Sequence, residues 1–127
     1  GISWAPATDT DILNPGTSLE VIGLRNGDWI MVYNDLEAKR YSLVAAISDD
    51  EGKTWKWRRH LDGNPSKVST DEYHYPSVIQ AKDGTIQMTY SYYTQAGQTI
   101  KHVQLSEDWV KAGDAAGPSG STSPARK

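Results

Sequence analysis

The stretch SDDEGKTW, residues 48–55, predicts a self-contained turn between two β-strands. The side chains of Ser48 and Asp50 can bond to backbone groups inside such a turn. Gly52 can supply the positive φ that the bend requires. Trp55 can fold back over the turn as an apolar plug. The stretch therefore predicts where one strand ends and its antiparallel neighbour begins.

Working outward from this turn, short runs of β-branched and aromatic residues alternate with turn-forming residues. Asn26-Gly27 and Asp83-Gly84 each carry a strong hairpin signal between two such runs. No segment has three turns of helical apolar spacing with caps. The pattern predicts an all-β chain built from antiparallel hairpins. The predicted strands are residues 18–24, 29–33, 41–48, 56–61, 75–81, 86–92 and 99–105.

An internal repeat relates the two halves of the chain. The stretch LEVIGLRNGDWIMVYND (19–35) parallels YPSVIQAKDGTIQMTYSYY (75–93) at a spacing of about 57 residues. Repeats of four short strands at roughly this period are typical of β-propeller blades. The first copy has four predicted strands and the second has three, while Ile2–Pro6 reads as a lone outer strand. We therefore expect about two four-stranded antiparallel blades.

Length and composition set the domain boundaries and exclude several classes of function. The chain has 127 residues, no cysteine and a formal net charge of -3, so the basic face typical of nucleic-acid binding is not expected. No apolar run reaches about 18 residues, which argues against a membrane partner. The sequence indicates no cofactor and no metal, because phosphate-loop and zinc motifs are absent, and it leaves localisation open. Residues 1–111 read as the β-rich unit, and 112–127, rich in Ala, Gly, Ser and Pro, as a flexible tail.

The turn at residues 48–55 fits S-x-D-x-G-x-T-W and resembles the Asp-box, or BNR repeat, of sialidases (neuraminidases) and related propellers. The resemblance covers about residues 2–110, similar to the last two blades of such proteins, which usually have six. It implies that the Asp-box is structural and lies on the face opposite the ligand. Calcium or glycan binding through Asp49, Asp50 and Glu51 is the less favoured alternative. The Asp-box positions are Ser48, Asp50, Gly52, Thr54 and Trp55.

In a propeller, the loops at one end of the strands form the ligand-binding rim. Here residues 7–17, 34–40, 62–75 and 93–98 are expected on that rim, and they concentrate polar side chains. The candidate rim residues are Asn14, Asn34, Asp35, Tyr73 and His74.

The resemblance also implies catalytic candidates. Sialidases bind the substrate carboxylate with three arginines and use a tyrosine nucleophile activated by a carboxylate. Arg40 is similar to the last of those arginines, Tyr75 to the nucleophile, and Glu72 is a candidate base for it. The alternatives are a solvated loop cation for Arg40 and a packed tyrosine for Tyr75. The other two arginines and the acid/base aspartate belong to earlier blades of the family.

Three functional hypotheses follow from these residues. The first is a partial or degenerate exo-glycosidase of the sialidase type, whose partner is a glycan or small carbohydrate. The second is a lectin-like propeller module that binds a glycan without catalysis. The third is a purely structural fragment.

The incomplete second blade predicts an assembly. We expect Ile2–Pro6 of one chain to complete the 75–105 blade of the next, so that three chains form a six-bladed homotrimeric ring. The alternative is a monomer in which the N-terminal strand pairs within its own chain.

Overall fold

The computed structural model describes residues 3–116, which form two antiparallel β-sheets of four and three strands. This all-β architecture and the seven strands from β1 onward confirm the sequence prediction for that part of the chain. A short helix and a 3-10 turn follow the last strand. The first sheet comprises β1 (Glu20–Gly23), β2 (Trp29–Tyr33), β3 (Ser42–Ser48) and β4 (Trp57–Gly63), in that order; the second comprises β5 (Glu72–Gln80), β6 (Ile86–Thr94) and β7 (Gly97–Leu105); α1 spans Glu107–Ala112 and the 3-10 turn Asp114–Ala116.

The two predicted hairpin turns are built alike. In the first, the Leu24 amide donates to the Asp28 carbonyl over 2.7 Å, and Gly27 takes a φ of 96°. In the second, the Ala81 amide donates to the Thr85 carbonyl over 2.8 Å, and Gly84 takes a φ of 91°. Only glycine adopts this backbone readily, which explains why Asn-Gly and Asp-Gly mark these turns.

Strand register confirms the internal repeat. Ile30 pairs with Ile22 and Ile47 in the first sheet, and Gln87 pairs with Ile79 and Gln104 in the second. Each residue of the second set lies 57 positions after its counterpart in the first. The hairpin units therefore align without a register shift across β1–β3 and β5–β7.

The two sheets pack against each other through one shared apolar core. β3 is buried along its whole length, as expected for a continuous apolar run inside a sheet. A second, smaller cluster covers the opposite face of the first sheet, where Ile12 and Trp55 pack over it. The shared core includes Ile30, Val32, Ala45 and Ile47 from the first sheet, Val78, Ile86, Met88, Tyr90, Val103 and Leu105 from the second, and Trp109 and Val110 from α1.

The predicted outer strand at Ile2–Pro6 does not form in the single chain. Residues 3–6 have no strand pairing, Trp4 is 91% exposed, and Ile2 lies outside the described residues. The physical reason is the path of the chain after residue 6. Ile12 packs on the face of the first sheet that points away from the second sheet, so the N-terminal segment leads onto this face and not along a strand edge. Pairing of the N-terminal segment within its own chain, the monomer alternative, is therefore not observed.

One strand boundary and one helix differ from the sequence prediction. β5 begins at Glu72 because a β-bulge between His74 and Ser77 lets the strand continue past Pro76. Helix α1 was not expected, because six residues are too few for a periodic signal. It is capped by Ser106, whose hydroxyl accepts from the Trp109 amide over 3.1 Å.

Most of the predicted tail, residues 112–127, lies outside the described residues. Within the described part, the Asp114 carboxylate contacts His60 at 2.7 Å. In residues 3–116, no helix is long and apolar enough to cross a membrane.

Candidate functional site

The candidate site lies where the β2–β3 loop meets the start of β5. Antiparallel pairing brings the end of β2, the start of β5 and the end of β6 to the same end of the sheets. The Tyr73 amide donates to the Arg40 carbonyl over 2.9 Å, which joins the loop to β5. This contact places Arg40 beside Glu72, His74 and Tyr75.

Three of the sequence candidates form one hydrogen-bonded chain. Arg40 Nη1 lies 2.6 Å from His74 Nδ1, and His74 Nε2 lies 2.9 Å from Glu72 Oε2. A guanidinium has only donors, so His74 Nδ1 must accept and Nε2 carries the proton that is donated to Glu72. The imidazole ring thereby fixes both the arginine and the carboxylate. It also packs on Tyr93, with ring centroids 4.3 Å apart.

Tyr75 is held in a strained conformation beside this chain. Its φ is 51°, in the left-handed region that non-glycine residues rarely adopt, and it precedes Pro76. Its side chain is 61% exposed, and the Arg40 guanidinium carbon lies 5.8 Å from its ring centroid. Strain of this kind is concentrated at functional sites, because the surrounding structure must maintain it. Within residues 3–116, no hydrogen bond joins Glu72 to the Tyr75 hydroxyl.

Three of the candidate rim residues lie beneath the rim. Asn34 is fully buried, and its amide donates to the carbonyls of Ser42 and Tyr73 over 2.8 and 3.1 Å. Tyr73 is 4% exposed and stacks on Tyr92 with ring centroids 5.5 Å apart. Asp35 is committed to internal bonds, as described next. These side chains support the loops that carry Arg40 and Tyr75.

Asn14 shapes the segment that leads into β1. Its Oδ1 accepts from the backbone amides of Gly16 and Thr17 over 2.8 and 2.9 Å. The Thr17 hydroxyl in turn donates to Asn34 over 2.8 Å. Asn14 therefore anchors a loop to the buried Asn34.

Asp35 and His60 form an ion pair below the β2–β3 loop. Asp35 accepts from His60 Nε2 and from the Ser42 hydroxyl, each over 2.7 Å. Burial raises the pKa of Asp35, but these hydrogen bonds outweigh it and hold the pKa below its usual value. The bond to Asp35, together with Asp114, raises the pKa of His60 to about 9. Strand β4 thus holds the loop that carries Arg40 through a charged hydrogen bond.

A second polar cluster joins the two sheets near the same end. Lys101 Nζ and the Tyr90 hydroxyl both reach Asp62 Oδ2, over 2.6 and 2.8 Å. Lys101 also lies 3.8 Å from the centroid of the Tyr92 ring. Burial, and then the nearby Asp62 carboxylate, raise the pKa of Tyr73 well above its usual value. Tyr73 therefore stays neutral and acts as packing between the two clusters.

The Asp-box forms the turn between β3 and β4, at the other end of the first sheet from Arg40. Asp50 Oδ1 accepts from the Ser48 hydroxyl and the Thr54 amide, and Oδ2 accepts from the Thr54 hydroxyl. These bonds lower the pKa of Asp50 to about 2. Gly52 has a φ of 82°, and a Cβ there would lie 3.0 Å from the Trp29 ring.

Two acidic side chains of the Asp-box are engaged, Asp50 within the turn and Asp49 with Lys56 on the side of the next strand. The Asp49 carboxylate pairs with Lys56 at 2.8 Å, while both oxygens of Asp50 are engaged. In the described part of the chain, no group of three or more His, Asp or Glu side chains could hold a metal ion. These hydrogen bonds and the ion pair tie residues 48–56 together between β3 and β4.

Sequence reasoning missed Tyr93 and His60 as contributors to the site. Tyr93 pairs with Glu72 across β5 and β6, and that register could have been counted back from the Asp83-Gly84 turn, apart from the bulge. No sequence signal placed His60 near Asp35, because their contact depends on the pairing of β3 with β4.

A groove of about 400 Å³ also borders Glu72, lined by Lys39, Tyr41, Val68, Ser69 and Thr70.

The fold and the turn together define the class of protein. Two sheets repeat one antiparallel hairpin unit, and an Asp-box closes the third strand onto the fourth, which is the organisation of a BNR-type repeat module. A family model described as BNR repeat-like domain matches residues 1–88. The chain therefore belongs to the BNR repeat-like family, as the sialidase resemblance had indicated. No curated protein and no solved structure is significantly similar to the chain.

Proposed function

We propose that this chain forms two consecutive blades of a sialidase-like propeller and supplies one part of its binding site for a carboxylated sugar. The observation that carries the proposal is the Arg40–His74–Glu72 chain beside the exposed, strained Tyr75. His74 uses one nitrogen of the guanidinium, which leaves the other donors of its planar fork to meet a carboxylate. Tyr75 offers an aromatic surface for the sugar ring.

The catalytic version of this proposal assigns Tyr75 as nucleophile. A tyrosine hydroxyl needs a base to ionise, and Glu72 is the carboxylate next to it in the site. The remaining arginines and the acid/base aspartate of the sialidase set would come from other blades. On this view, the chain acts as a partial or degenerate exo-glycosidase of the sialidase type.

One observation favours the second candidate function, glycan binding without hydrolysis. Glu72 Oε2 bonds to His74 and has no bond to the Tyr75 hydroxyl within the described residues. The carboxylate is therefore engaged in holding the imidazole. A binding module needs Arg40 and Tyr75 only as contacts, and that role agrees with the observed arrangement.

Two measurements on the full chain test these functions. Saturation-transfer NMR with free sialic acid should detect binding, and Arg40→Lys should weaken it about tenfold, or about 1.4 kcal/mol, through loss of the bidentate fork. Arg58→Lys is the matched control, because Arg58 is exposed on β4 away from the site. Hydrolysis of a fluorogenic sialoside that is lost in Tyr75→Phe would support catalysis, with the remaining arginines and the acid/base aspartate supplied by other blades of an assembly of this chain. Binding without turnover would support the module, because no complete catalytic set then forms, and neither signal would overturn both.

A further inference from the structure

Tyr33 and Tyr90 occupy equivalent positions in the two sheets, but within residues 3–116 only the Tyr90 hydroxyl has a hydrogen-bond partner. Tyr90 pairs with Lys101 across β6 and β7, as Tyr33 pairs with Val44 across β2 and β3. The Tyr90 hydroxyl donates to Asp62 at the end of β4. The side chain of Tyr33 is fully buried, and its hydroxyl has no hydrogen-bond partner among residues 3–116. Buried hydroxyls are rarely left without an acceptor.

The repeat shows where such an acceptor would come from. Asp62 belongs to the fourth strand of the sheet that precedes Tyr90. By the same rule, the acceptor for the Tyr33 hydroxyl would lie on the fourth strand of a sheet that precedes β1–β4. The chain contains a segment in that place, residues 3–9, which has no strand pairing.

The spacing of two residues in this segment matches β4. Trp57 and Asp62 are five positions apart on β4, and Trp4 and Asp9 have the same separation. Trp57 packs against the shared core, whereas Trp4 is 91% exposed. Pro6 falls between them, and proline is tolerated on the outermost strand of a sheet. Residues 4–9 therefore have the features of a fourth strand without a sheet.

The second sheet offers the complementary edge. β7 spans nine residues, Gly97–Leu105, and among residues 3–116 it has a neighbouring strand on one side only. Its counterpart β3 is paired on both sides, by β2 and β4. The open edge of a strand of this length presents a row of backbone donors and acceptors to another extended segment.

We propose that residues 4–9 of one copy pair with β7 of a second copy as its missing fourth strand, and that this pairing brings Asp9 to the buried Tyr33 hydroxyl. The matched Trp–Asp spacing, combined with the equivalence of β3 and β7, gives the register. Trp4 lies opposite Gln104, as Trp57 lies opposite Ile47, and Asp9 lies opposite Ile100, as Asp62 lies opposite Leu43.

The face of the second sheet next to β7 suits such a contact. Ile79 and Ile100 are 61% and 66% exposed there. The polar groups between them already bond to one another, with His102 Nε2 2.7 Å from Gln87 Oε1 and Gln87 Nε2 3.1 Å from Gln104 Oε1. Covering this face therefore leaves few polar groups without partners.

The arrangement is head to tail, because the N-terminal segment of one copy meets the last strand of the next. It requires one local rearrangement. Ile12 covers the Met31–Tyr33 face in the single chain and moves aside when the neighbouring sheet packs there. A head-to-tail contact closes a ring if its rotation permits. Three copies bring together six sheets, the number of blades that the sialidase resemblance implies.

The test uses light scattering and native mass spectrometry on the full chain. The wild type should have three times the chain mass of 14.0 kDa, and Trp4→Ala should return it to the mass of one chain. Because Trp4 is exposed in the single chain, this variant cannot fail through loss of folding. Asp9→Asn should weaken the assembly. Adding Tyr33→Phe to Asp9→Asn should weaken it no further, because the two side chains act through one hydrogen bond. The matched control Asp11→Asn should leave the assembly unchanged.

Hydrogen exchange supplies an independent readout. Amides along the outer side of β7 should be protected in the wild type and exchange rapidly in Trp4→Ala. A wild type with the mass of one chain over a wide concentration range would overturn the proposal. An assembly that survives Trp4→Ala with β7 amides still exchanging rapidly would also overturn it, because another surface would then hold the copies together.

Discussion

Arg40 Nη1 lies 2.6 Å from His74 Nδ1, although the two residues are 34 positions apart in the chain. The contact makes the imidazole a bridge, because its other nitrogen donates to Glu72. His74 is thus a positioning residue, which sets where the guanidinium and the carboxylate face the open rim.

Removing this bridge should weaken sugar binding without unfolding the chain. His74→Ala deletes the hydrogen bond to Arg40, worth about 1 kcal/mol, so the affinity for free sialic acid should fall roughly fivefold. NMR titration of the full chain measures this change. Lys53→Ala is the control, since Lys53 is exposed in the turn at the other end of the first sheet from Arg40. Equal affinities for wild type and His74→Ala would show that His74 does not position Arg40.

The backbone strain at Tyr75 predicts a difference between two small substitutions. At φ 51°, glycine avoids the left-handed cost that alanine retains, so Tyr75→Gly should be more stable than Tyr75→Ala by about 1 kcal/mol. Both variants should lose sugar binding, because both lack the ring. Urea unfolding compares their stabilities. An alanine variant as stable as the glycine variant would mean that the residue is not held in this conformation.

The Asp-box should make stability fall at acid pH. Hydrogen bonds from Thr54 and Ser48 lower the pKa of Asp50 to about 2, from a usual value of 3.8. Its stabilising effect is therefore complete above about pH 4 and is lost as the pH falls through about 2. Urea midpoints across this range should decline less steeply in Asp50→Asn, which has no carboxylate to protonate. Asp49→Asn is the control, because no internal turn bond involves the Asp49 side chain.

The ion pair of His60 with Asp35 should make stability fall at alkaline pH. The pKa of His60 is raised to about 9 from a usual value of 6.5, chiefly by the bond to Asp35. The stabilisation is complete below pH 6.5 and disappears as the pH rises through about 9. Thermal unfolding of wild type and His60→Gln should converge at high pH. If the two differ equally at all pH values, the ion pair with Asp35 does not contribute as described.

The Lys101–Asp62 ion pair between the sheets should contribute more to the free energy of unfolding than the Lys56–Asp49 pair on the surface. The Lys101 and Asp62 side chains are 13% and 11% exposed, so Lys101→Met should cost about 3 kcal/mol by leaving a buried carboxylate without its cation. Lys56→Met is the matched control, because the Lys56–Asp49 pair is open to solvent and should matter little. Urea unfolding compares the two variants. Similar small losses would mean that the inter-sheet pair is effectively solvated.

The sequence by itself determined the features that depend on local chemistry. Asn26-Gly27 and Asp83-Gly84 fixed the two hairpins, because only those residue types adopt the turn backbone readily. The Asp-box fixed where β3 meets β4, since its bonds all lie within residues 48–54. The repeat between residues 19–35 and 75–93 predicted the shared register, and the sialidase resemblance predicted that Arg40, Glu72 and Tyr75 lie near one rim.

The tertiary structure alone decided which of these side chains meet. A bulge between His74 and Ser77 interrupts the alternation of β5, so sequence spacing could not tell that Tyr75 faces solvent while His74 bridges Arg40 and Glu72. The pairing of His60 with Asp35 and the burial of Asn34 likewise arise from contacts between distant strands. Local patterns specify strands and turns, whereas side-chain partners depend on how the sheets pack, and so the candidate site became visible only in three dimensions.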